Sequence, residues 1–131
     1  EARVEIIRAA ISDKPGTGYL SGGSQNKGEI KLAERSSESE EVVIDTLPRI
    51  ARTLGLKYID AIKIDIEGHD FKALSTFFED APKRLYPNLI IAEVGIMSHP
   101  PLIELCKANG YSKIKRTPLN VVFEKVDHVQ T

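Results

Sequence analysis

A single cysteine, Cys106, excludes an internal disulfide and any thiolate zinc cage. It sits in an apolar helical pattern, where a reduced, packed thiol is expected, and a cytoplasmic location follows from that reading. The chain has no run of about eighteen apolar residues, so no membrane span is expected. Charge of one sign is lacking too: the formal net charge is -1 and the basic residues are scattered, which argues against a nucleic-acid partner. The chain opens at Glu1-Ala2-Arg3 with neither an initiator Met nor an apolar leader, and this start reads as a cut. Also missing are a nucleophile elbow with its Ser/His/Asp order, histidines at metal-ligand spacing and a phosphate-cradling glycine loop. No metal is expected.

What remains is an ordinary globular composition, 41% hydrophobic and 28% charged over 131 residues. Such a length buries roughly two-thirds of the surface of its unfolded form, enough for one core. Val4 to Ile11 is β-branched and apolar and ends in the turn formers Ser12-Asp13-Lys14-Pro15-Gly16, which predicts a buried strand. Gly18–Ser21 and Glu29–Ala33 read as a hairpin. Residues 34–41, with four Glu and three Ser around one Arg, read as a flexible, solvated loop. Val42 to Ile44 resumes a strand, and Asp45 or Thr46 caps a helix with Leu47, Ile50, Ala51 and Leu54 inward and Gly55 as its stop. Tyr58 to Ile66 suits a central parallel strand. A helix capped by Asp70 and closed by Pro82 follows, then an apolar strand, Leu89 to Val94. The unit repeats as a Pro100 helix and a strand from Tyr111 to Lys115, after which Asn120 to Val126 pairs antiparallel at the sheet edge.

In open α/β sheets ligands gather outside the carboxyl ends of the strands, where loops vary and helix N-termini point inward. Asp65 and Glu67 end one central strand, Glu93 ends the next, and Ala10 to Asp13 end the first. Alternation puts Asp65 and Glu67 on one side, roughly 7 Å apart if the strand stays extended, with Ile64 and Ile66 turned into the packing layer. Two carboxylates so placed call for a compensating cation, metal, lysine or helix N-terminus. The bland alternative is a capping Asp65 and a Glu67 paired with a surface lysine. Lys63 lies deeper on the same side and is expected in an internal ion pair. His69 follows Gly68 and suits a general base, while His99 either faces the crevice or caps the Pro100 helix with Ser98.

The segment Ile59-Asp60-Ala61-Ile62-Lys63-Ile64-Asp65-Ile66-Glu67-Gly68-His69-Asp70, with Leu74 and then Asn88 to Val94, resembles the FkbM-type methyltransferases. Their strand ends in a K-I-D-V-E-G-x-E-like segment, and the next strand ends in a glutamate. Arg8 to Asp13 with Gly16 is similar to the family's A-x-S-D-x-x-G segment, and Asp45-Thr46-Leu47 resembles its T-L-D element. The resemblance runs from about Val4 to Val94. Two residues depart from the pattern: Pro48 stands where the family has Asp, and Asp70 where it has Glu.

The resemblance implies a three-layer, Rossmann-like fold that uses S-adenosylmethionine, mostly parallel with an antiparallel C-terminal edge, and methyl transfer to a hydroxyl oxygen of a small molecule or sugar. By position, Ala10, Ile11, Ser12 and Asp13 fall near the adenine and Asp65 near the methionine part. Glu67, His69 and Glu93 fall toward the acceptor. The family's first strand, glycine-rich loop and ribose-gripping acid would precede Val4. The expectation is therefore a single partial domain over residues 1–131 that binds the methyl donor poorly and is inactive alone, while its parent is active. The runners-up are a non-catalytic or degenerate α/β module that self-associates as a homodimer through an exposed sheet edge, and a magnesium-dependent phosphate enzyme.

Overall fold

A computed structural model describes residues 3–22, 30–33, 39–66, 68–95 and 99–126. The chain is α/β, and the described residues form eight strands in two four-stranded mixed sheets and three α-helices. The first sheet holds β1 (Ala10–Ile11), β2 (Gly16–Gly22), β3 (Ile30–Ala33) and β4 (Ser39–Asp45), in the order β1-β4-β2-β3. Only β1 and β4 run parallel. The second holds β5 (Ala61–Ile64), β6 (Leu89–Glu93), β7 (Tyr111–Arg116) and β8 (Asn120–Lys125), in the order β5-β6-β8-β7.

Three sequence expectations are corrected here. The first strand is two residues long, not eight: Val4 and Ile6 are 82% and 86% exposed and pair with nothing among the described residues. The sheets are mixed rather than mostly parallel. The antiparallel strand β8 lies between β6 and β7, so β7 is the edge. Residues 34–38 of the expected loop lie outside the described residues, while Ser39 to Glu41 begin β4.

The helices form where sequence chemistry allows. Thr46 caps α1 (Leu47–Thr53), its Oγ1 accepting the Arg49 N–H at 3.4 Å, while Asp45 Oδ1 takes the Thr46 N–H and the Arg49 Nε–H at 2.8 and 2.9 Å. The chain leaves α1 through Gly55 at φ +66, a left-handed position that favours glycine. Helix α2 (Asp70–Asp80) buries Ala73, Leu74, Phe77 and Phe78 on one face. It stops at Ala81, which Pro82 holds extended. Helix α3 (Pro100–Ala108) buries Leu102 and Cys106.

All three helices pack into one cluster with Ile64, Ile90, Ala92, Val121 and Phe123. The register explains this: Ile62 and Ile64 sit beside Ile90 and Ala92, which sit beside Phe123 and Val121, so alternate residues build one apolar face. The opposite face carries exposed Ala61 and Lys63 and half-buried Leu89, Ile91 and Val122. The expected third layer is therefore not found among the described residues. The expected ion pair of Lys63 is not found either, because its side chain lies exposed on this uncovered face. The first sheet joins the helical layer along its β1–β4 edge, where Ile11 and Leu47 pack on the core and Thr76 Oγ1 donates to the Asp13 carbonyl at 3.4 Å.

Candidate functional site

Strands β5 and β6 run parallel, with Lys63 beside Ile91 and Ile64 beside Ala92, so both carboxyl ends open at the same end of the sheet. There a cleft of about 230 Å³ is lined by Asp65, Gly68, Asp70, Glu93, Val94, Gly95 and His99. Asp65 is exposed and Ile64 is buried at 3%, as alternation requires. Ile66 packs partly on the core. Gly68 turns the chain at φ +90, which lets α2 start immediately beside the strand end.

Asp70 is the residue that sequence reasoning missed. It was expected to cap α2, but His69 holds the cap position, with no capping bond from its ring, and Asp70 is the first helical residue. Its side chain is folded back and only 6% exposed. Oδ1 accepts the Ile66 N–H at 3.2 Å, tying the Asp65 loop to the helix. Oδ2 is closed to solvent and takes no hydrogen bond from the described residues. Burial pushes the Asp70 carboxyl above the usual carboxylate range, with the nearby Asp65 charge adding to it and the Ile66 hydrogen bond opposing it. Only the D-x-E-G-x-D spacing hinted at a second carboxylate here.

His99 stands at φ 37, ψ 66, a left-handed conformation that an L-residue enters at a cost of about 1–2 kcal/mol. Its Nδ1 accepts the Leu102 N–H at 3.2 Å and so caps α3, and the neutral ring then carries its hydrogen on Nε2. Nδ1 is therefore committed to the cap and is not available as a base. Its expected alternative partner in capping, Ser98, lies outside the described residues, as does Glu67. His69 is half-buried and is not in the cleft lining, although its neighbours Gly68 and Asp70 are. Glu93 lines the cleft from the end of β6.

Two of the four residues expected near the adenine line a second cleft that Ile66 also borders. Ala10 and Ile11, with Ile7, Ala9, Val42 and Ile66, wall a cleft of about 560 Å³ that also touches Arg8, Glu40 and Glu41. Ser12 and Asp13 lie outside that lining. Ser12 is buried and its N–H donates to the Asp45 carbonyl at 3.0 Å. Its Oγ donates to Asp13 Oδ1 at 3.1 Å, which holds the Asp13 carboxyl below its usual range. Cys106 is fully buried and burial pushes its thiol up to about 12, so it is a packed thiol with no reactive character.

The family model described as Methyltransferase FkbM domain matches residues 1–113. The chain belongs to the FkbM methyltransferase family. No curated protein and no solved structure matches it. The match spans both clefts, from Ile7 through Ile66 to His99, so the two cavities flanking Asp65 and Ile66 both fall within the FkbM domain. No helix among the described residues is long and apolar enough to cross a membrane.

Proposed function

We infer that this FkbM domain serves S-adenosylmethionine-dependent methyl transfer to a hydroxyl oxygen of a small molecule or sugar. The observation that carries the reading is the pair of clefts meeting at the end of β5, one apolar and one acidic. The parallel β5–α2–β6 crossover, with both clefts at its ligand end, supports a Rossmann-like reading of the fold. The apolar walls of Ala10, Ile11, Val42 and Ile66 suit a flat adenine ring, and Asp65 stands next to Ile66 with its carboxylate available to a cationic centre. The methyl donor, when bound, supplies an electrophilic methyl on a sulfonium. Asp65 orients it and takes the hydroxyl proton of the acceptor, which Glu93 helps hold. Glu67 and His69 keep the acceptor-side roles that the family resemblance gives them. The rate gain comes mainly from positioning. A reducing, cytoplasmic setting suits the single buried thiol.

No glycine-rich loop after a strand lies within these residues, so donor binding by this chain alone is expected to be weak. The test is therefore spectroscopic. Titration with S-adenosylhomocysteine should shift the backbone amides of Ala10, Ile11 and Ile66 before any others. Shifts elsewhere, or none at saturating ligand, would refute the donor assignment.

A second reading rests on the sheet face that no described element covers and on β5, whose outer edge pairs with nothing among the described residues. We propose that two copies pair along this edge. Light scattering across a concentration series should give a dimer that dissociates on Lys63→Pro substitution, which blocks strand pairing. A monomer at every concentration would end this proposal.

A further inference from the structure

The acidic cleft buries a carboxylate oxygen that the described residues leave without a donor. Asp65 and Asp70 line it together with Glu93, and among the described lining residues there is no Lys or Arg. His99 has Nδ1 committed to the Leu102 N–H, and protonating that nitrogen would break the cap. Within this wall Asp70 is 6% exposed and its Oδ2 has no donor among the described residues. A buried carboxylate oxygen without a donor is strongly unfavourable, and native structures resolve it with a proton or a cationic partner.

We propose that the cleft is a subsite for an ammonium group, seated between Asp70 Oδ2 and the Asp65 carboxylate, and that the methyl acceptor is accordingly an amine-bearing alcohol such as an aminosugar. An ammonium supplies several N–H donors at once, which one small cleft with two facing carboxylates can satisfy. A neutral hydroxyl supplies one donor and leaves the second carboxylate uncompensated. The assignment of the amine to a methyl acceptor rests on the proposed methyl transfer; the ammonium subsite itself does not.

Binding is linked to protonation. At acid pH Asp70 holds a proton, which an entering ammonium must displace. The affinity therefore rises with pH as Asp70 ionises, with Asp65, Glu93 and His99 as the other titratable groups facing the cleft.

The experiment uses the full chain and two sugars of one shape, glucosamine and glucose, in the absence of any methyl donor. Amide shifts of Gly68 and Gly95 report the cleft. Glucosamine is expected to shift both, glucose at the same concentration neither, and Asp70→Asn to weaken glucosamine about tenfold or more, the worth of one hydrogen bond to a charged group. The affinity should also fall as pH is lowered through the window above 3.8 in which Asp70 takes up its proton. Equal responses to the two sugars, or an unchanged affinity in folded Asp70→Asn protein, would overturn the subsite. Because no donor is present, failure here leaves the S-adenosylhomocysteine titration standing, and failure of that titration leaves this one standing.

Discussion

The two ends of the β5-β6-β8-β7 sheet make opposite use of polar groups. The larger cavity, about 620 Å³, lies at the end where β6 and β7 begin and is lined by Lys83, Tyr86, Lys107, Gly110, Tyr111 and Lys125 among others. Its polar groups have structural assignments. Tyr86 Oη donates to the Phe78 carbonyl and Tyr111 Oη to the Pro87 carbonyl, each at 2.6 Å. Lys125 Nζ donates to the Tyr86 carbonyl at 3.2 Å, and Lys107 complements the carbonyl end of α3. The cleft at the other end is little more than a third of that volume, yet it holds Asp70 Oδ2, which with Asn120 Oδ1 is one of two buried side-chain oxygens that nothing described satisfies. Unmet hydrogen-bonding capacity, rather than cavity size, distinguishes a place built for a ligand from a place built to hold the fold together.

The comparison breaks first at its structural end. Tyr111→Phe removes the donor from the carbonyl of fully buried Pro87 while leaving the ring in contact with Phe78, 5.7 Å between centroids. An orphaned buried carbonyl costs about 1–3 kcal/mol, so urea denaturation should show a loss of that order. The pH of the experiment is unimportant, because burial pushes the Tyr111 hydroxyl up and keeps it a donor across the neutral range. If stability is unchanged, the basal groove is not anchored as described and its size regains meaning as a mark of function.

Much of the helical layer was legible in the sequence, because helix boundaries are local chemistry. Thr46, Gly55, Pro82 and Pro100 act within a few residues of where they stand, and each does so as expected. Sheet order is not local. Val4 to Ile11 has the composition of a strand, but a strand exists only where a partner offers its backbone, and β4 offers one only to Ala10 and Ile11. Nothing in the alternation of Asn120 to Val126 says whether it lies at an edge or between two others, so β8 was placed one position too far out. The site was half legible for the same reason. Asp65 and Glu93 follow from strand ends, whereas Asp70 at a helix start reads as a solvent-facing cap until β6 and α3 close over it.

The acidic end gives the sharper test, because its carboxylate is expected to weaken the fold that carries it. Asp70→Asn keeps an oxygen for the Ile66 N–H and replaces the unmatched oxygen with an amide, removing a charge that burial disfavours. The wild-type carboxyl titrates above its ordinary 3.8, so the folded protein binds a proton more tightly than the unfolded chain. Wild-type stability therefore falls as pH rises through the window above 3.8, while the Asn variant has nothing there to titrate. Below that window the two proteins should melt together. Above it the variant should melt higher, by less than Tyr111→Phe lowers the melting point, while losing its affinity for glucosamine. A gain in stability coupled to a loss of binding is the signature of a residue kept for its ligand. A variant less stable than wild type at neutral pH would make Asp70 a structural anchor, and the contrast between the two ends of the sheet would collapse.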